Sequence, residues 1–348
     1  KNNSSGVFMG NPIQTDALII GAGPVGLFAV FELGLLNLNC HVIDILNKPG
    51  GQCAQLYPEK PIYDIPAYPV ITGQDLTENL LKQVKPFSPV FHYEQLANKI
   101  KKQKNGNWLV ETDKDLVFDV KAVVIAAGGG SFEPKKPNIP DLDKYSKSIR
   151  YSIDRVDRFK NKDIVILGGG DSALDWTLQL YDVAKSLTLV HRRDKFRGAP
   201  ATVKKVMDLR DAGKIQFHVG QVNEIIGTDG NLTAVKCIKE NKILDLPCDI
   251  LMPFFGLTMS LGPVDKWGID LSDERIVVST ETFETSIPGI FAVGDINTYP
   301  GKLKLILSGF HEAALMAHAV FKRINPDEKH TLQYTTTSSS LQKKLLNQ

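Results

Sequence analysis

Leu18-Ile19-Ile20-Gly21-Ala22-Gly23-Pro24-Val25-Gly26 is the stretch on which the reading of this chain turns. A short apolar run ends in a Gly-x-Gly-x-x-Gly turn, and an apolar pattern with helical spacing follows from Leu27 to Leu36. Gly21 permits a tight turn off a strand, Gly23 lets a pyrophosphate approach the backbone, and Gly26 lets helix and strand pack closely. The helix N-terminus then faces the phosphates with unpaired N–H groups and the positive end of its dipole. A second strand, Cys40-His41-Val42-Ile43, ends in Asp44. An acid about 20 residues past the glycines is placed to bind an adenosine ribose diol. Gly21, Gly23, Pro24, Gly26 and Asp44 are therefore candidate dinucleotide contacts.

The chain has 348 residues, enough for two domains, with 43% hydrophobic and 23% charged residues, as in a globular protein with a large core. A net charge of +2 makes no demand for nucleic acid or a membrane surface. No apolar run reaches the roughly 18 residues of a membrane helix. Residues 1–11 are polar and glycine-bearing, without the apolar core of a signal peptide. Cys40, Cys53, Cys237 and Cys248 lie far apart, with no metal-knuckle or dithiol spacing, which fits buried thiols in a reducing cytoplasm. The seven histidines do not cluster, and no metal is expected.

Beyond Asp44, Pro49-Gly50-Gly51-Gln52 is a turn whose backbone can approach a ligand. Leu56-Tyr57-Pro58-Glu59-Lys60-Pro61-Ile62-Tyr63-Asp64-Ile65-Pro66 is too rich in proline for a long helix. Its aromatic residues read either as a ring-stacking face beside a nucleotide or as core filling. The pattern predicts a helix over 75–85, a strand over 90–97 and a hairpin from 108–112 and 116–120. Ala122-Val123-Val124-Ile125-Ala126-Ala127-Gly128-Gly129-Gly130 reads as a buried strand ending in glycines, again a place for close ligand approach.

Pro134 to Pro140 reads as a linker, and a second fingerprint follows it. Asp163 to Leu167 is the strand, Gly168-Gly169-Gly170-Asp171-Ser172-Ala173 the turn, and the helix runs on to Val183. The next strand, Ser186 to Val190, ends not in an acid but in His191-Arg192-Arg193-Asp194-Lys195-Phe196-Arg197. Asp44 would accept from a ribose diol and repel a phosphate, whereas Arg192, Arg193 and Arg197 suit a 2′-phosphate. The two sites thus take different dinucleotides, the second preferring NADP(H). Residues near 208–212 continue this unit, followed by strands near 215–219 and 233–238 and a crossover strand over 249–256. Ile290-Phe291-Ala292-Val293-Gly294-Asp295 then precedes a helix over 303–324, and an acid there can bond the ribityl hydroxyls of a flavin. The polar end, with Thr335-Thr336-Thr337-Ser338-Ser339-Ser340, reads on composition as a flexible tail. Lysine pairs at 101–102, 135–136, 204–205 and 343–344 are solvated surface or a meeting place for an acidic partner.

Gly21-x-Gly23-x-x-Gly26, Gly168-x-Gly170-x-x-Ala173, the His191-Arg192-Arg193-x-x-x-Arg197 block and Ala292-Val293-Gly294-Asp295 stand in the order found in thioredoxin-reductase-like flavoproteins, which nearly the whole chain resembles. The resemblance implies an α/β fold of two Rossmann-like FAD/NAD(P)-binding domains, one inserted in the other. Residues 13–131 and 252–333 would bind FAD, 132–251 NADPH, and 334–348 would form a tail. Thioredoxin reductases carry Cys-x-x-Cys just before the second fingerprint; here the position reads Tyr151-Ser152-Ile153-Asp154, so thiol exchange has no dithiol to use. The chain is instead similar to the ferredoxin–NADP⁺ reductases of this type, as Leu56-Tyr57-Pro58-Glu59-Lys60 and Tyr334-Thr335-Thr336-Thr337-Ser338 also indicate.

That resemblance implies that Asp44 and Gln52 contact FAD, that Tyr57 stacks on one flavin face, and that Ala97 and Phe132 line the cofactor. It implies that Asp295 holds the ribityl chain, that Thr336 touches the flavin, and that Tyr334 stacks on the opposite face, the tail covering the flavin of the partner in a homodimer. The NADP contacts would be Gly168, Gly170, Asp171, Ser172, Ala173, His191, Arg192, Arg193 and Arg197. The implied reaction is reversible electron transfer between NADP(H) and ferredoxin, with no general acid or base. Reduction of flavodoxin, a flavin monooxygenase, and a sensor without turnover are the rival readings.

Overall fold

The computed structural model describes residues 11–153, 155–240, 242–328, 335–336 and 338–346. The chain divides into two compact units, Lys1–Ser131 with Met259–Gln348, and Phe132–Thr258.

The first unit starts with β1 (Ile13–Ile20), α1 (Pro24–Leu35) and β2 (Cys40–Ile43). Pro24 occupies the start of α1, where its missing N–H has no helical partner to lose. The helix is apolar on most sides because two other helices pack on it, α3 (Gly73–Val84) and the later helix 306–324. In the chain the short α2 (Gly51–Leu56) lies between β2 and α3. Thr72 caps α3 by accepting the Asp75 N–H at 3.0 Å, and Leu76, Thr77, Leu80 and Val84 form its buried stripe.

Strands β3 (Val90–His92), β4 (Ala97–Lys102), β5 (Trp108–Thr112) and β6 (Val117–Ile125) follow. The single strand expected over 90–97 is therefore two. Glu94 turns left-handed at φ 55, and the N–H groups of Glu94 and Gln95 donate to Leu46 and Asp44, which pulls the segment off the strand line. The sheet runs β3-β2-β1-β6-β5-β4, parallel from β3 to β6 and antiparallel from β6 to β4.

In the second unit β7 (Asp163–Leu167), α4 (Asp171–Leu180), β8 (Ser186–His191), α5 (Pro200–Asp211) and β9 (Gln216–Val219) lead to an antiparallel meander. The meander is β10 (Gln221–Thr228), β11 (Asn231–Lys239) and β12 (Lys242–Pro247), and β13 (Ile250–Pro253) comes after it. A parallel sheet, β9-β8-β7-β13, forms the nucleotide-fold half. The return to the first unit falls after Thr258 rather than at Met252. Pairing of Leu167 with Pro253, and the Phe254 N–H donating to Leu167 at 2.7 Å, keep those residues in the second unit's sheet.

Back in the first unit, β14 (Ile290–Ala292) adds to the C-terminal half of β6, Val123–Ile125, while the N-terminal half of β6 holds β5. Helix α6 (Ile306–Ile324) starts three residues later than the expected Leu303 because Leu305 is extended and caps it. The tail is not free along its length. Ser339–Leu346 is a helix, α7, with Leu341 buried and Lys344 Nζ donating to Asn37 Oδ1 at 2.7 Å. One buried leucine is invisible to a composition dominated by Ser and Thr. The first unit's core centres on β1 and β6, with Leu18, Ile19, Ile125 and Phe291 fully buried.

Candidate functional site

The first glycine turn is steric necessity made visible. Gly21 sits at φ +111 and a Cβ there would lie 2.3 Å from the Ala126 carbonyl oxygen. A Cβ on Gly26 would lie 1.9 Å from the Gly21 oxygen, so helix and turn touch backbone to backbone. Among the described residues the space at Gly23 is open, the nearest atom to a Cβ being Gly51 Cα at 3.9 Å, and nothing lies within 4 Å of one at Gly128. Those open faces, beside the N-terminus of α1, fit a pyrophosphate.

Asp44 is buried at the end of β2 and ties the cradle together. Its Oδ2 accepts the Ala22 N–H at 2.6 Å and its Oδ1 the Leu46 N–H at 2.8 Å. Burial pushes its carboxyl above the usual range, and the two N–H donors oppose that rise. Gly50 N–H donates to the Ala22 oxygen at 2.8 Å, which joins the second glycine turn to the first. Gln52 is half-buried in the first turn of α2, and Ala97 is buried next to the segment hooked onto Asp44 through Gln95.

Tyr57 ends α2, half-buried, with Cys53 Sγ 3.8 Å from its hydroxyl. Burial, followed by Cys53 and then Asp295, holds the Tyr57 phenol far above its usual range. Asp295 acts on Cys53 in the same way, so the aromatic loop and the Gly-Asp turn face one neighbourhood. Asp295 itself is exposed, immediately after the buried Gly294.

Beneath that turn lies a cluster the sequence reading missed. Glu312 on α6 is completely buried, and its Oε2 accepts the Gly294 N–H at 2.6 Å and Asn297 Nδ2 at 2.8 Å. Its Oε1 accepts the Tyr299 hydroxyl at 2.9 Å and pairs with Lys302 Nζ, which also donates to the Gly294 oxygen at 2.9 Å. The Tyr299 phenol is pushed up to about 12 by burial, then by Glu312. A signal was present: the buried stripe of α6 is Gly309, Glu312, Ala313, Met316, Ala317 and Val320, and an acid on such a stripe must be paired.

In the second unit Gly168, at φ +145, would bring a Cβ to 2.7 Å from the Phe254 oxygen, while Gly170 meets nothing within 4 Å. This is the same division of labour as in the first turn, one glycine for the turn and one for an open face, with Ala173 buried behind them. The Arg197 N–H donates to the Gly169 oxygen at 2.7 Å, which folds the basic block over the turn. Arg192, Arg193 and Arg197 are exposed. His191 is buried, stacked on Phe196 at 5.6 Å, and would crowd a Cβ on Gly169 at 2.4 Å. Burial lowers its imidazole below the usual value, and the nearby guanidiniums add to that. Asp171 Oδ1 accepts the Ala199 N–H at 2.9 Å, so its carboxylate braces the loop; Ser172 is exposed on the first turn of α4.

The first unit thus brings together Gly21, Gly23, Pro24, Gly26, Asp44 and Gln52, and couples Tyr57 to Asp295. Tyr334 and the side chain of Phe132 lie outside the described residues. Thr336 is exposed, its carbonyl held by Gln342 Nε2 at 2.7 Å, and α7 is moored beyond the C-terminal end of α1. That mooring is roughly 18 Å along the helix from the glycine turn. All four cysteines are buried and free. Among the described residues no helix is long and apolar enough to cross a membrane.

Two Rossmann-type turns with opposite charge at their second strands define an oxidoreductase that works with two dinucleotides. Residues 15–319 match the family model described as pyridine nucleotide-disulphide oxidoreductase. The chain is 59% identical to the ferredoxin–NADP reductase of Parvibaculum lavamentivorans over 336 residues, 96% of this chain and 98% of that one. It is 57% identical to that of Mesorhizobium japonicum over the same shares. Among solved structures it is similar to thioredoxin reductase from Lactococcus lactis, with TM-score 0.74, 25% identity, and 90% of this chain and 99% of that one covered. Thioredoxin reductase from T. acidophilum shares the fold, with TM-score 0.73 and 22% identity over 89% of this chain and 98% of that one. The chain belongs to the pyridine nucleotide-disulphide oxidoreductase family and, within it, to the ferredoxin–NADP reductases of thioredoxin-reductase-like type.

Proposed function

We propose that the chain carries electrons reversibly between NADP(H) and ferredoxin through FAD: two reduced ferredoxins, NADP⁺ and a proton give two oxidised ferredoxins and NADPH. The observation that carries this reading is the contrast between Asp44 and the Arg192, Arg193 and Arg197 block at the ends of equivalent strands, in a relative of named ferredoxin–NADP reductases. When bound, FAD supplies hydride exchange with a nicotinamide and single-electron exchange with an iron–sulfur protein.

The protein's part is to hold, orient and shield. The Gly21–Gly26 turn and the N-terminus of α1 take the FAD pyrophosphate, Asp44 the ribose diol, and Asp295 the ribityl chain. Tyr57 covers a flavin face; its raised phenol keeps the ring neutral throughout. Gln52, Ala97 and Phe132 line the same cofactor. In the second unit Gly168, Gly170, Ser172 and Ala173 cradle the NADP pyrophosphate, and the exposed guanidiniums hold its 2′-phosphate. Asp171 and His191 border this cradle, Asp171 bracing the loop by accepting the Ala199 N–H on Oδ1 and His191 stacking on Phe196. Residues up to Ser131 and from Met259 form the FAD domain, and Phe132–Thr258 the NADPH domain.

The working form is a homodimer in which Tyr334 and Thr336 reach the partner's flavin. The mooring of α7 away from its own glycine turn supports a tail that serves a second copy. The buried free thiols support a reducing cytoplasm. The test is NADPH-driven cytochrome c reduction with and without ferredoxin. A strong gain with ferredoxin is expected; flavin bleaching by NADPH without that gain would move the search to flavodoxin or an organic substrate.

A further inference from the structure

The fully buried Glu312 has no part in the site as assigned so far, yet all its hydrogen bonds converge on the segment that carries Asp295. Both polar groups of Gly294 are held by one ion pair: its N–H donates to Glu312, and its carbonyl accepts from Lys302, itself 4% exposed. Asn297 Nδ2, one of the donors to Glu312, also donates to the Ala292 carbonyl at 2.9 Å. The clamp therefore reaches residues 292, 294 and 297, on both sides of Asp295. Among the described residues four donors face the Glu312 carboxyl, the pattern that suits its ionised form.

We infer that Glu312 and Lys302 are positioning residues that fix the Gly294–Asp295 turn in the orientation that holds the flavin's ribityl chain. The inference rests on Asp295 facing the flavin. A purely structural ion pair had no need of this place: two buried charges are costly to desolvate, and an apolar pair of equal volume would pack α6 at least as well. Gly294 also explains why side chains are used. At φ +82 it sits in a backbone state that glycine visits freely, with its Cβ position 3.4 Å from Val25; the Asn297 N–H holds its carbonyl from within the turn, and Glu312 and Lys302 hold its N–H and carbonyl from outside it. Each partner is tied to the same turn. Tyr299, with its phenol held protonated, is a constant donor, and Lys302 bridges carboxylate and carbonyl.

The experiment compares wild type, Glu312→Gln, the charge-neutral double variant Lys302→Met/Glu312→Gln, and Asp295→Ala. FAD release is followed by fluorescence, the flavin absorption band by spectroscopy, and amide exchange of residues 293–299 in FAD-stripped protein by mass spectrometry. Both clamp variants are expected to release FAD at least tenfold faster than wild type, with a shifted flavin band and faster exchange confined to that segment. The double variant leaves no buried unpaired charge, so it decides the matter if Glu312→Gln fails to fold. Wild-type exchange and release in the double variant would overturn the clamp, whatever its melting temperature. Wild-type FAD release in Asp295→Ala, with exchange still faster in the clamp variants, would overturn the reading of Asp295 and leave a clamp on the turn's backbone.

Discussion

At the scale of single residues, two equivalent strand ends carry opposite charge, Asp44 on one and Arg192 and Arg193 after the other, a contrast proposed to separate the dinucleotides. Replacing both Arg192 and Arg193 with alanine removes exposed charged donors without disturbing the core. Each lost charged hydrogen bond is worth about 1.5–3 kcal/mol, so the NADPH KM rises by at least about tenfold while the NADH KM barely moves. Steady-state kinetics with both cofactors check this; equal effects would refute the 2′-phosphate role. The two glycine turns and the charged strand ends were legible in the sequence, because strand, glycine turn and strand end have fixed offsets. What was not legible was which polar side chains the fold uses up. His191 looks like a ligand beside its arginines, and as the last residue of a strand buried from Leu187 onward it stacks on Phe196. Asp171 Oδ1 braces Ala199, and Glu312 gains its meaning only when α6 is laid against residues 294–302.

At the scale of elements, close approach governs α1 and its neighbours. A Cβ on Gly309 of α6 would come within 2.3 Å of Val25 Cγ2, and Val25 is branched and stiff. Gly309→Ala should therefore destabilise by about 1–3 kcal/mol, measured as a lower urea midpoint with unchanged slope. Gly26→Ala meets backbone rather than side chain, and FAD is expected to be absent from what purifies. Strands β2 and β3 set His41 Nδ1 2.9 Å from His92 Nε2, with the two rings stacked. Burial lowers both imidazoles, and His92 lowers His41 further. Below about pH 6.5 the unfolded chain then binds protons first, so stability is whole above that pH and is lost as pH falls through the folded values. The melting temperature should drop between about pH 7 and 5, and less steeply in His41→Gln/His92→Gln. The helical and strand patterns were readable here, but their breaks were not: Glu94 leaves the strand for partners on residues 44 and 46.

At the scale of the whole molecule, the two-unit plan was legible from two fingerprints, whereas the helix in the tail was hidden by its composition. Deleting residues 334–348 removes the α7 mooring and both tail contacts proposed for the flavin. Stopped-flow mixing with NADPH should show a changed rate of flavin reduction with FAD still bound, and unchanged kinetics would count against the tail's role. Strand β6 has a bearing on how the protein is made. Among the described residues its edge at Val123–Ile125 is completed by Ile290–Ala292, so a nascent chain presents an unpaired apolar edge until residue 292 has left the ribosome. By then Phe132–Thr258 has emerged in full and can fold as a compact unit. The second unit is thus complete and free to fold first, and the first unit, begun earlier, is the one finished last.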